Sequence, residues 1–417
     1  MESRIMQRSI PWAVATILAV LASGCQKQPQ QQTPAVAAAD GAFAATLQER
    51  LLDAKPGDVI DIPTGRHQFE RSLSLRADGV TLRGAGMDQT VLSFKGQKAG
   101  AEGLLVNGDN FTIENLTIED SKGDGLKISE SENITIRGVK VQWTGGPSTK
   151  NGAYGIYPVL TKNVLIENTI SIGASDAGIY VGQSDGVIVR NSRAEQNVAG
   201  IEVENTRNAD VYDNVATGNT GGILVFNMPG LSQQGGNIRV FNNKVIANNH
   251  ENFGAKGTPV ASVPAGSGIV INSNDDIEVF DNEVRDNATT NIIVSSVYST
   301  GYKDSSASPN FDPYPERIYI HNNTLSGGGD SPDGLDLKAL KLAMYGLTGN
   351  FPDVLWDGYY NKARVVDGVK VGPQICLRNV SGVINADGPG GYKNPSKDAK
   401  PFECDLPRLP AIDLKRG

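Results

Sequence analysis

Through the middle of the chain, apolar and polar residues alternate in short runs that restart at a fixed interval. Residues 178–199 read GIYVGQSDGVIVRNSRAEQNVA, residues 200–221 read GIEVENTRNADVYDNVATGNTG, and GILVFN follows from 222. Gly178, Gly200 and Gly222 are thus 22 residues apart each time. Alternation of period two predicts strands, with the Ile and Val of each Gly-Ile-x-Val on one side and the residues between them on the other. Runs this short cannot bury an apolar face alone, so the pattern predicts a solenoid of stacked coils.

The same opening recurs at Gly103, Gly125, Gly155 and Gly268, and in altered form at Asn291. Asn115, Asn168, Asn191, Asn214, Asn243, Asn282 and Asn323 follow the second strand of successive coils, with Gly138 in that slot once. Stacked asparagines there would bond to one another and to turn backbone, leaving one gap at Gly138. Ahead of the coils, Phe43, Leu47, Leu51 and Leu52 have helical spacing and predict a helix over 42–54 that covers the open end. Insertions at 144–154, 228–236, 250–267 and 299–316 interrupt the period around one strand stack. Loops inserted on one face of a repeat array line a binding face, so these four are expected to wall a groove. Beyond Asp330 the period fades, which places the coils at 42–330 and a capping segment at 331–417.

A net charge of −8 argues against nucleic acid as a partner, although local charge in a groove can differ from the total. At the N-terminus, Arg4 and Arg8 precede an apolar run from Trp12 to Ala22, too short to cross a bilayer comfortably. The run ends in Leu-Ala-Ser-Gly-Cys, and a Gln/Pro/Ala-rich tether follows over 25–41. This resembles a bacterial lipobox, though Ala22 stands where Leu is usual. It implies a signal peptide over 1–24, lipidation of Cys25 and, with Gln26 next, an outer-membrane destination. The remaining cysteines, Cys376 and Cys404, are expected to pair in an oxidising compartment.

The strings GDGLKI, GASDAGIYVGQS, NVAGIEVENT, NTGGILVFNMPGL and DPYPERIYIHNN resemble a family of exported bacterial right-handed parallel β-helix proteins. The resemblance implies an all-β right-handed parallel β-helix of pectin-lyase type, of undefined activity, with a c-type-cytochrome-like envelope protein as a candidate partner. More loosely, the coils are similar to pectate lyases, to mannuronan epimerases and to an accessory protein of copper-dependent nitrous oxide reduction. The histidine motif of the epimerases is absent: His67, His250 and His321 are dispersed, which also argues against copper.

Candidate chemistry lies on the outward side of the Gly-x-x-x strands. Successive coils place Leu105, Lys127, Tyr157, Tyr180, Glu202, Leu224, Val270 and Ile293 there in one row. Lys127, Tyr157, Tyr180 and Glu202 are the catalytic candidates, with Asp124, Tyr154, Asp176 and Glu204 beside them as ligand-binding candidates. In a polyuronate lyase or epimerase, Lys127 would neutralise a uronate and Tyr157 or Tyr180 would move the proton. Asp176, Glu202 and Glu204 could instead hold calcium, and tyrosines suit sugar rings without chemistry. A further alternative is a non-catalytic assembly role, with exposed Leu224, Phe226, Val270 and Ile293 docking an envelope protein.

Overall fold

The computed structural model describes residues 41–300, 302, 308 and 311–414; the expected signal peptide, Cys25 and tether lie outside them. Strands dominate, and the pairings between coils are parallel, with a register shift where Arg71–Leu75 meets Ala99–Val106. One sheet of 11 strands contains all the Gly-x-x-x strands, among them Tyr154–Val159, Ala177–Gly182, Ala199–Glu204, Gly221–Phe226, Ser267–Asn272 and Thr290–Ser295. A sheet of 19 strands forms the remaining walls of the coil. Ile128, Ile156, Ile179, Val181, Ile201, Val203, Ile223 and Val225 are all fully buried in the interior, as the alternation requires. Helix α1 (Gly41–Leu52) closes the N-terminal end with Leu47 and Leu51 buried, while Leu52 points to solvent.

The coils do not stop at Asp330. Val354–Trp356 pairs with Thr290–Ser295, Val383–Asn385 pairs with Val354–Trp356, and Ile375–Leu377 joins Glu316–His321. The segment expected to be only a cap therefore adds further rungs, and a disulfide joins Cys376 on Ile375–Leu377 to Cys404. It also carries helix α2 (Leu335–Tyr345).

The asparagine column proves to be two columns one residue apart. Asn115, Asn168 and Asn191 sit at left-handed turn positions, with φ of 60°, 53° and 50°. Gly138 has φ 60° in the same slot, so it is the natural occupant and not a gap. Asn214, Asn243, Asn282 and Asn323 occupy the next position, which is buried. Asn214 Nδ2 donates to Asn243 Oδ1 at 3.0 Å, Asn243 to Asn282 at 3.0 Å, and Asn282 to Asn323 at 2.9 Å. Thr169 and Ser192 hold that slot in earlier coils, with Ser192 N donating to Asn214 Oδ1 at 2.9 Å.

A second buried ladder runs Asn197, Asn219, Asn248, Asn287, with amide bonds of 3.0, 2.9 and 3.2 Å. It explains the opening glycines. A Cβ on Gly178 would come within 2.5 Å of the Asn197 amide, and one on Gly200 within 2.5 Å of the Gly222 carbonyl and 2.8 Å of Asn219. Where the column reaches Asn291, that side chain extends the ladder by accepting from Asn287 at 3.2 Å.

Candidate functional site

The strand register assembles the outward row as the alternation predicts. Leu105 pairs with Lys127, Lys127 with Tyr157, Tyr180 with Glu202, Glu202 with Leu224, Leu224 with Val270, and Val270 with Ile293. The row continues through Leu355 to Ile384. On the next outward position, Glu204 pairs with Phe226.

The polar half of this face is a cluster of tyrosines and carboxyl groups. Rings of Tyr154, Tyr157 and Tyr180 lie 4.4 to 5.0 Å apart, and Lys127 Nζ stands 5.0 Å from the centroid of Tyr157. Asp124 accepts from Tyr154 N at 3.2 Å. The Tyr154 hydroxyl bonds Asp176, and the Tyr180 hydroxyl donates to Glu204. Asp124, Lys127, Tyr154 and Tyr157 are half-buried and form the rim, whereas Asp176, Tyr180, Glu202 and Glu204 are buried and form the floor. All eight candidate residues are thus on one face. Glu202 Oε2 is buried there without a hydrogen-bond partner.

Burial decides the chemistry. Removal from water pushes Asp124 up to about 6, and Asp176 up to about 8 with the neighbouring Glu204 charge adding to it. Burial also raises Glu202, which Asp176 and Glu204 push further, and raises Glu204 against the bond from Tyr180. Burial and the same carboxylates raise Tyr154 and Tyr180 and push Tyr157 up to about 12. A tyrosine so placed is a weaker acid than in water, the opposite of what abstraction by its phenolate needs. Asp124 and Asp176, held partly protonated near neutrality, are the better proton carriers.

Among the described residues, the three acids whose oxygens approach within 4.8 Å of one another are Asp275, Asp312 and Glu316, far along the chain from Asp176, Glu202 and Glu204. Arg317 bonds Asp275 at 3.2 Å and Arg364 pairs with Glu316, so guanidinium groups already partner two of that trio.

The apolar half of the row departs from expectation. Leu224, Phe226, Val270 and Ile293 are not exposed; their exposures are 0%, 5%, 5% and 6%. Met228, Val260 and Val263 from the inserted loops, with Leu337, Leu340 and Met344 of α2, pack with them in a second hydrophobic cluster. The insertions at 228–236 and 250–267 therefore cover this part of the face instead of flanking it. Nothing in the row's own sequence signals this, because the cover comes from loops and from α2 far along the chain.

Residues 78–230 and 149–325 match the family model described as right handed beta helix region. The chain belongs to the right-handed β-helix family. Among solved structures, the A-module of mannuronan C-5 epimerase AlgE4 from Azotobacter vinelandii is similar at 19% identity and TM-score 0.52, over 77% of this chain and 91% of that one. An exopolygalacturonase from Thermotoga maritima aligns at 11% identity and TM-score 0.45, over 69% of this chain and 77% of that one. The likeness to the AlgE4 module is of fold. No curated protein matches the sequence.

Proposed function

We propose that this β-helix protein binds a polysaccharide on the face bounded by Asp124, Lys127, Tyr154 and Tyr157. Any chemistry there is proton transfer by carboxyl groups and not by tyrosine. The observation that carries the reading is the three-ring tyrosine cluster seated on buried carboxyl groups, one of which has an oxygen with no partner. Aromatic faces take sugar rings, and an unmet acceptor on a buried floor takes a sugar hydroxyl. The fold, which a mannuronan epimerase also uses, is compatible with such a ligand.

An acidic polysaccharide remains the first ligand class to test, under an electrostatic condition. One lysine faces four carboxyl groups, so a polyuronate is repelled when those groups are ionised. Its affinity should rise as pH falls from 8 to 5, as Asp176 and then Asp124 take up protons. Titrating purified protein with polyuronates and with neutral glucans across that range tests this, while absorbance and proton exchange report elimination or epimerisation. Loss of binding in Tyr157→Ala is expected; binding untouched by that change, or no glycan bound at any pH, would overturn the reading. The protein is further proposed to act in the envelope as a lipoprotein, so that Cys25→Ser abolishes acyl labelling; labelling that persists refutes the anchor. A docking role for the Leu224 to Ile293 patch loses its support, since the chain itself covers those residues.

A further inference from the structure

Beyond the saccharide site, the covered half of the face holds a chamber of about 780 Å³. Phe226, Val270, Ile293 and Leu355 line its floor, Val263 one wall, and Leu337, Leu340, Ala343 and Met344 of α2 its roof. It is a cleft half open to solvent, not a sealed void. At about 30 Å³ for each non-hydrogen atom the space holds roughly 25 of them, within the range of ligand pockets.

We propose that this chamber binds the hydrocarbon chain of an amphiphile, independently of the saccharide site. Three observations converge on that chemistry. The polar groups at the bottom are already satisfied. Asp357 Oδ2 accepts from Ser296 N at 2.7 Å, Ser296 Oγ at 2.8 Å and Ser299 Oγ at 2.7 Å, and Asn272 Oδ1 accepts from Ser295 Oγ at 3.1 Å. An occupant therefore meets no unmet polar demand at depth, which disfavours a sugar and suits a chain. Next, α2 roofs the space with none of its residues fully buried: Leu337, Leu340 and Met344 are half-buried, although seven of its residues line the cleft. Its roof position is one that a ligand completes. Finally, the exposed lining residues mark the mouth, and they pair apolar with charged groups. Leu335 is 85% and Tyr392 52% exposed, beside Asp336 and Lys393. A chain enters past the apolar pair while a polar head stays at the charged rim.

Calorimetric titration of the full-length chain, stripped of bound lipid on a hydrophobic resin, with octanoate, decanoate and laurate tests the proposal. Affinity should rise about tenfold for each two methylenes, since each buried methylene contributes about 0.8 kcal/mol, and the heat capacity change should be negative. Ala343→Trp fills the chamber from an exposed position of the helix, so it should fold normally and lose laurate binding at least tenfold. Leu342→Gln, on α2 but outside the lining, should bind laurate as the parent does. Affinity independent of chain length, or Ala343→Trp binding unchanged, overturns the proposal. A laurate-dependent rise in melting temperature, absent in Ala343→Trp, supports it by a second route. Polysaccharide binding should persist in Ala343→Trp, so each site can fail without the other.

Discussion

Asp176 gives the most direct measure of what burying the carboxyl cluster costs. Its carboxyl rises from an ordinary 3.8 to about 8 on folding, through burial and the charge of Glu204. A group with a raised folded pKa binds a proton on folding. Its contribution to stability is fully present below pH 4 and is lost as pH rises through 8. Across that window one proton gives a slope of about 1.4 kcal/mol per pH unit. At pH 7 the penalty is on the order of 4 kcal/mol, a quarter or more of the stability of an ordinary domain. Asp124, raised to about 6, adds to the slope between pH 4 and 6. Asp176→Asn keeps the shape and still accepts from the Tyr154 hydroxyl while removing the titration. Urea unfolding at pH 5, 7 and 8.5 should show parent stability falling steadily, and the variant overtaking the parent at pH 8.5 by several kcal/mol. At pH 5 the two should differ by about 1–2 kcal/mol. Parent stability that rises from pH 5 to 8.5, or a variant offset constant across pH, would refute the argument.

Two further outcomes test the frame that holds this site. Asn243→Ala removes a buried amide that bonds Asn214, Asn282 and the Val211 carbonyl and should cost about 3–5 kcal/mol. Asn191→Gly, at an exposed turn with φ 50°, should change stability by less than about 1 kcal/mol; equal losses in denaturant midpoint would refute the two-column description. Ile201→Asp places a charge in a fully buried stack and should prevent recovery of folded protein, as judged by protease resistance.

The fold was legible because a period-two pattern repeating at 22 residues admits few solutions, and the interior Ile and Val positions followed directly. The row Lys127, Tyr157, Tyr180, Glu202 was legible for the same reason. Its burial was not, because what covers Leu224 comes from residues 250–267 and from α2, outside any local pattern. The asparagine columns were merged because Asn is favoured both at a left-handed turn and in a buried ladder, and the two slots are adjacent. The second ladder did leave a signal: Asn197 and Asn219 each stand three residues before an opening glycine.

The covered half of the sheet has a directional consequence. From Lys127 to Glu202 the face runs across four strands, about 14 Å at a strand spacing near 4.8 Å, and then meets Leu224 sealed beneath the chain's own loops. A groove open at both ends lets a polymer thread through and be read anywhere along its length. Here one side is closed, because Leu224 and its neighbours lie beneath the chain's own loops. A saccharide laid along it would be met at its terminus, so the polarity of the sugar chain, and not only its composition, would decide what fits.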